Sequence, residues 1–235
     1  MLERISRQER LDLFIAWGAI SLAFAIIFIR NAGRVDPVIA LLFIGISLVT
    51  VGIGFVAHEM AHKFTAMRYG YWAEFRKDNM MLVVAVALAA LVGVVFAAPG
   101  ATVIYDTGRF GGGITRQQNG KISAAGPVTN LVLCAFFFGI FIIGAILAGL
   151  MGDLSLFSGA VFRNLELYGA GIVGQPAVLC GLIGLFGLQV NAMIAAFNML
   201  PVSVLDGRKV LAWNAGVFAV LIIAAFGILV LSLLV

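Results

Sequence analysis

The sequence predicts an all-α polytopic membrane protein of five to six transmembrane helices, with a re-entrant or β-hairpin-like element near residues 80–122. Of the 235 residues, 63% are hydrophobic and only 11% are charged, and the mean hydropathy is +1.12. An average soluble domain carries about 25% charged residues. A bilayer core needs about 20 consecutive apolar residues. Six uncharged windows approach or exceed that length, namely 13–29, 37–57, 80–105, 131–152, 167–205 and 210–235.

The first window, 13–29, is interpreted as a retained membrane span. The ten residues at the start, MLERISRQER, mix acidic and basic side chains, and no small-residue cleavage site follows the apolar run. A signal peptide is therefore not indicated. The net charge of +4 requires no nucleic-acid partner, because the basic residues cluster in loops, where membrane topology explains them.

The second window, 37–57, leads into the only two histidines of the chain, which lie in the segment HEMAH at 58–62. Residues four apart share a helix face, so His58 and His62 can bind one metal ion while Glu59 lies beside an open position. Zinc with such ligands keeps a water whose pKa falls to near 7, and Glu59 can accept its proton. A charge inside a bilayer costs about 2.5–3.5 kcal/mol, which favours a functional site over a polar helix end.

A zinc site of this kind needs a third ligand, and few acidic residues lie in or near apolar sequence. The candidates are Asp12, Asp36, Asp153, Glu166 and Asp206. Only Asp206 ends a long uncharged run. Pro201 interrupts helix hydrogen bonding before it, and Gly207 permits unusual backbone angles after it. Because a broken helix in a membrane is tolerated where it lines a cavity, Asp206 is the predicted ligand. The alternative is a carboxylate that caps the last helix at the surface.

Three segments together resemble the site-2 protease family of intramembrane zinc metalloproteases. They are HEMAH at 58–62, GPVTN at 126–130 and NMLPVSVLDG at 198–207. The resemblance reaches over about two-thirds of the chain and includes nothing similar to the PDZ or CBS domains of some members. It implies a minimal form of the family. The chain departs from the compact members at 80–98, which is long and apolar where they have a shorter strand-like element.

The resemblance also implies roles for individual residues. His58, His62 and Asp206 would bind one catalytic zinc ion, and Glu59 would be the general base. Asn198 would help to hold the substrate strand or the tetrahedral intermediate. The substrates would be transmembrane proteins, cleaved near the cytoplasmic side.

The middle windows are constrained by the metal, because its ligands must lie at one depth and ligand bonds are only about 2 Å long. An even number of crossings must therefore separate His62 from Asp206. If every window were a full span, 8 Lys and Arg residues would lie inside and 7 outside. If 80–98 enters and 99–105 returns on the same side, the division becomes 12 inside and 3 outside. The second arrangement agrees with the positive-inside rule.

This arrangement predicts a cytoplasmic N-terminus and five full spans, near 11–30, 37–64, 127–151, 177–200 and 210–235. The Gly-rich polar segment 108–120 is expected to form a loop or hairpin turn. Non-helical chain at membrane depth must lie against protein or water, so 101–105 (ATVIY) should face the catalytic cavity. A β-rich stretch there could pair with an unwound substrate by strand addition.

The sequence therefore predicts a single transmembrane metalloprotease domain over 1–235, with a catalytic core of about 37–210. We expect a multi-pass protein of a prokaryotic plasma membrane, whose partners are the lipid bilayer and transmembrane protein substrates. Its oligomeric state is left open. Two alternatives are a membrane metal-ion transporter and an inactive protease-like scaffold. A Glu59→Gln variant separates the first from a protease, because a transporter would keep its ion flux.

Overall fold

The computed structural model describes residues 4–31, 37–95, 100–105, 113–152, 175–202 and 204–234. This part of the chain forms seven helices and one two-stranded sheet. In chain order the elements are α1 (Arg7–Asn31), α2 (Pro37–Arg68), β1 (Trp72–Lys77), α3 (Asn79–Leu91), β2 (Gly100–Tyr105), α4 (Arg116–Leu150), α5 (Pro176–Asn198), α6 (Asp206–Trp213) and α7 (Ala215–Leu233).

Five of the described helices, α1, α2, α4, α5 and α7, are long and apolar enough to cross a membrane. The shortest, α7, has 19 residues and is therefore about 28 Å long, close to the thickness of a bilayer core. The most apolar stretch of α5 is 61% buried, whereas that of α7 is 17% buried. The prediction of a multi-pass membrane protein is thus confirmed, and the five candidate spans agree in number with the five predicted. Helix α5 lies in the interior of the bundle and α7 on the outside.

Helix α3 and strand β2 form the predicted same-side return. Asp78 caps α3 by accepting hydrogen bonds from backbone N–H groups in the first turn of the helix. Helix α3 has 13 residues and is therefore about 20 Å long. Strand β2 then pairs antiparallel with β1, with Gly100 opposite Lys77. The chain has therefore come back to the level at which α3 began. The partner strand β1 precedes the predicted range of 80–122, so that range contains only one of the two strands.

The far end of α3 lies next to the last turn of α1. Arg30 donates hydrogen bonds to the carbonyl oxygens of Ala89 (3.1 Å) and Ala90 (2.7 Å). The first turn of α1 contacts β1 instead, since Glu9 accepts a 3.0 Å hydrogen bond from the N–H of Phe75. Helix α3 therefore follows α1 over most of its length, and the return is deeper than a shallow re-entrant loop.

Helix α4 begins at Arg116, earlier than the predicted span of 127–151. The prediction of a loop over 108–120 is wrong for its last five residues. The reason is a capping box, in which Thr115 accepts a hydrogen bond from the N–H of Gln118 and the Gln118 side chain bonds back to Thr115. This cap satisfies free backbone groups at the helix start, so the polar turns before Pro127 join the apolar span.

The last predicted span, 210–235, is divided into two helices. Helix α6 ends at Trp213, and the side chain of Asn214 accepts a hydrogen bond from the N–H of Val217 at the start of α7. Helix α5 ends at Asn198, and α6 begins at Asp206. The chain is therefore non-helical around Pro201, as predicted for a broken helix.

Candidate metal centre

The three predicted ligands converge at one buried position. His58 and His62 lie one turn apart near the end of α2, and Asp206 is the first residue of α6. The Oδ2 atom of Asp206 lies 3.4 Å from the Nε2 atom of His58 and 3.0 Å from that of His62. The two Nε2 atoms are 3.0 Å apart. The predicted even number of crossings between His62 and Asp206 is consistent with this geometry.

The distances among these atoms fit a shared zinc ion. Tetrahedral zinc with ligand bonds of about 2.0–2.1 Å separates its ligand atoms by about 3.3 Å. The three measured separations lie between 3.0 and 3.4 Å. Two imidazoles and one carboxylate also form the ligand set of catalytic zinc sites, which keep a fourth position open. The group is therefore consistent with a catalytic metal site.

Both imidazoles are held with Nε2 directed at the shared position. The Nδ1–H group of His58 donates to the Oδ1 atom of Asn130 at 2.5 Å. The Nδ1–H group of His62 donates to the backbone carbonyl oxygen of Ile122 at 2.8 Å. An oxygen acceptor at Nδ1 fixes the tautomer in which Nε2 carries the free lone pair, which is the usual arrangement around metal-bound histidine.

Asn130 is itself oriented by a buried amide network. Its Nδ2 group donates to the carbonyl oxygen of Gly54 (3.1 Å) and to the Oδ1 atom of Asn191 (2.8 Å), and Asn191 donates to the carbonyl oxygen of Gly187 at 2.8 Å. The network joins α2, α4 and α5. Asn130 lies in the motif at 126–130 but had no predicted role, and Asn191 was not predicted. A lone amide within an uncharged apolar run was the available signal.

Gly126 lets the backbone of α4 approach the two histidines. A Cβ atom at this position would lie 2.5 Å from the Nε2 atom of His62 and 2.6 Å from that of His58. Any side chain would therefore occupy the space beside the predicted ligands. This close approach explains why the segment at 126–130 belongs to the site, although it contains no ligand candidate.

Glu59 lies beside the predicted ligands on the same turn of α2, and it lines a cavity of about 70 Å³ together with them. Glu59 is buried, with 7% of its surface exposed. The hydroxyl group of Thr102, on β2, donates to the Oε2 atom of Glu59 at 2.8 Å. Strand β2 thus faces the cavity, as predicted for 101–105. The individual contact of Thr102 was not predicted.

Asn198 lies at the end of α5 and lines the same cavity. Its Nδ2 group donates to the carbonyl oxygen of Ile194, one turn earlier, at 3.0 Å. The structure therefore brings Asn198 to the cavity.

Gly207 is required for close packing and not for unusual backbone angles, so the latter interpretation is wrong. The glycines with positive φ among the described residues are Gly70, Gly93, Gly113 and Gly152. A Cβ atom at Gly207 would overlap the backbone carbonyl of Met199. The start of α6 can therefore lie against the end of α5, which brings Asp206 to the histidines.

The surroundings of Asp206 favour the anionic form of its carboxyl group. Burial alone would raise the pKa of Asp206, but the interactions with His62 and His58 outweigh burial and hold this pKa well below its ordinary value. Lys209, one turn later, places its Nζ atom 3.9 Å from the second carboxylate oxygen. An anionic carboxylate is the form that a metal ion requires.

The other acidic candidates are not part of this group. Asp12 accepts a hydrogen bond from Gln8 at 2.9 Å and lies 3.7 Å from Arg76. Asp36, Asp153 and Glu166 lie outside the described residues. Among the described residues, the His58, His62 and Asp206 cluster is the one group of three able to hold a metal ion.

A mostly helical membrane protein with a buried His-His-Asp group and an adjacent glutamate belongs to the class of HExxH zinc metalloproteases. Residues 46–217 match Peptidase family M50, and the chain belongs to this family. It is also 33% identical over 217 residues to the protein named "Putative zinc metalloprotease MJ0611" from Methanocaldococcus jannaschii, which covers 92% of this chain and 90% of the relative. No solved structure matches. The resemblance to the site-2 protease family is thereby confirmed.

Proposed function

We propose that this chain, as a single catalytic domain, is an intramembrane endopeptidase that cleaves transmembrane segments of other proteins near the cytoplasmic side. The observation that carries the proposal is the buried convergence of His58, His62 and Asp206 within a bundle of membrane-spanning helices. His62 lies six residues before the end of α2, which corresponds to about 9 Å along the helix. A site at this depth favours a substrate that is itself in the membrane.

In the proposed mechanism, the protein residues position the substrate and move one proton. Zinc, when bound by His58, His62 and Asp206, supplies Lewis-acid polarisation and lowers the pKa of a water. Glu59 accepts a proton from the attacking water and passes it to the leaving amine. Asn198, at the cavity, holds the substrate strand or the oxygen that gains charge in the tetrahedral intermediate.

Strand β2 is the proposed docking edge for an unwound substrate. A transmembrane helix hides its carbonyl groups in its own hydrogen bonds, so the scissile region must first become extended. In the described part of the chain, β1 pairs with one edge of β2 and no strand covers the other. Strand addition at that edge would align the substrate backbone along the cavity, which includes Gly100, Thr102 and Ile104.

The orientation in the membrane is part of the proposal. The distribution of 12 Lys and Arg residues on one side and 3 on the other supports a cytoplasmic N-terminus. The metal site lies at the same end of the bundle as the start of α1, since Lys63, next to His62, contacts Glu9. Cleavage near the cytoplasmic side follows from this orientation, and a prokaryotic plasma membrane is the proposed location.

Family membership supports a peptidase over the two alternatives. A transporter needs further sites and an exit route for its ion, and the described residues contain one candidate metal group. An inactive scaffold would require a lost functional group, yet both histidines, Glu59 and Asp206 are present in a common cavity.

The test combines zinc content with a cleavage assay on single-span membrane proteins in proteoliposomes. Elemental analysis should find one zinc per wild-type chain and a large loss in His58→Ala and Asp206→Ala. Glu59→Gln should keep its zinc but lose cleavage by about 10²–10⁴-fold. Wild-type zinc content and cleavage in Asp206→Ala would refute the proposed ligand set. Cleavage of soluble peptides with no cleavage of membrane-embedded chains would refute the proposed substrate class.

A further inference from the structure

The contact between Thr102 and Glu59 joins the docking strand to the proposed base. The hydroxyl oxygen of Thr102 lies 2.8 Å from the Oε2 atom of Glu59 and 3.4 Å from the backbone oxygen of the same residue. A hydroxyl group has one proton to donate, and the shorter distance assigns that proton to the carboxylate. Glu59 therefore has one oxygen held by a residue 43 positions away in the sequence, on a different element.

We infer that Thr102 is a positioning residue for Glu59 in the reaction proposed above, on which this inference rests. Its hydroxyl group holds Oε2, so that the carboxylate adopts one orientation and Oε1 is left to accept the proton. The same strand carries the proposed docking edge. Strand β2 therefore sets the orientation of Glu59 and also aligns the substrate. The base and the substrate can be in register only when β2 is in place.

The position of Thr102 is fixed by a path of bonded groups that starts beside the metal ligands. Lys63, which follows His62, forms a fully buried ion pair with Glu9 at 2.5 Å. The second oxygen of Glu9 accepts the N–H of Phe75 on β1 at 3.0 Å, and Phe75 lies opposite Thr102 in the sheet. Helix α2 therefore presents Glu59 to the cavity and also, through Lys63, anchors the sheet that carries Thr102.

The chemistry of the contact suits a positioning role. A hydrogen bond to a charged acceptor contributes more than one between neutral groups. Glu59 is buried, and a buried carboxylate without a donor would rotate towards any available polar atom. A threonine on a strand also has restricted rotation about its first side-chain bond, so its hydroxyl direction is well defined.

The experiment compares Thr102→Val, which removes the donor at nearly constant shape, with Thr102→Ser, which keeps it. Thr50→Val is the matched control, because its buried hydroxyl bonds only one turn back, to the carbonyl of Ile46 at 2.8 Å. The readouts are kcat and KM in proteoliposomes, zinc content and thermal unfolding. We expect Thr102→Val to lower kcat by about tenfold to a hundredfold, with KM and zinc content within about twofold of wild type. Thr102→Ser and Thr50→Val should keep the wild-type kcat.

A second readout does not depend on cleavage. Infrared difference spectra between wild type and Glu59→Gln isolate the carboxylate stretching band of Glu59, and Thr102→Val should shift that band whereas Thr102→Ser should not. An unshifted band, a wild-type kcat in Thr102→Val, or an equal loss of kcat in Thr102→Ser would each overturn the inference. If Thr102→Val shifts the band but the wild-type protein cleaves no membrane substrate, the proposed function is refuted and the contact between Thr102 and Glu59 is established.

Discussion

The two ends of the helix bundle are stabilised by different kinds of contact. The metal end is the end at which His58, His62 and Asp206 meet, and the far end is the opposite one, where α1 finishes and α2 begins. The buried acidic and basic side chains in the described part of the chain lie towards the metal end, namely Glu9, Asp12, His58, Glu59, His62, Lys63, Glu74 and Asp206.

The far end is stabilised by close packing of apolar side chains. The rings of Phe28, Phe43 and Phe186 pack against one another, with the Phe28 and Phe186 centroids 4.2 Å apart. Nearby, Gly184 lets α5 lie against the backbone of α4 at Phe141. Apolar side chains gain little free energy when they move from lipid into a helix interface. Close packing of small residues must therefore hold such helices together. The difference teaches that, among the described residues, buried charge gathers at the end of the bundle where the proposed chemistry takes place.

The largest effect should come from breaking the buried ion pair at the metal end. Lys63→Met leaves the Glu9 carboxylate buried without its cation, so we expect a loss of about 3–5 kcal/mol in the free energy of unfolding. Denaturant titration in detergent micelles measures it. The double variant Glu9→Leu/Lys63→Met removes both charges and should recover most of the loss. If the single and double variants were equally unstable, shape and not charge would stabilise this end too.

A smaller effect is expected at the interface of α4 and α5. The added methyl group of Gly184→Ala would overlap the backbone of Phe141, so we expect a loss of about 1–3 kcal/mol in unfolding free energy. Gly227→Ala on α7 is the control, because its Cβ atom would meet nothing within 4 Å. The same titration applies to both variants. Equal stability of the two would show that close packing at this interface contributes little.

The amide network predicts a change in metal affinity. Asn130→Ala leaves the Nδ1–H group of His58 without its acceptor, and loss of such a contact lowers metal affinity by about 10–100-fold. Competition with a zinc chelator measures this affinity. Asn198→Ala is the control, because it removes a cavity-lining amide that is not bonded to either histidine. If both variants bound zinc as tightly as wild type, the network would be serving helix packing alone.

The features predicted from sequence are those fixed by composition or by metal chemistry. Hydropathy locates the five spans, because each must contain enough apolar residues to cross the bilayer, but it also marks 80–105 as a sixth apolar window. The same-side return of 80–105 follows because His62 and Asp206 must meet, and strand β2, opposite β1, fulfils it. Such constraints act on the whole chain and can therefore be recognised in the order of its apolar and polar residues.

The features missed are contacts between helix or strand faces that no local pattern determines. Glu9 and Lys63 are 54 residues apart, and nothing near either residue indicates the other. Strand β1 was not predicted, because its charged residues hide the pairing with β2. The capping box at Thr115 was a readable signal, but the glycines before it favoured a loop.

The smallest effect should come from Arg30, the one charged side chain at the far end with a recorded bond to α3. Its guanidinium caps the last carbonyls of α3, but the side chain is exposed. We therefore expect Arg30→Gln to cost only about 0.3–1 kcal/mol. Hydrogen exchange should accelerate in the last turn of α3, with zinc content unchanged, because the metal end keeps its own contacts. A loss as large as that of Lys63→Met would mean that the far end also depends on charge, and the contrast between the two ends would fail.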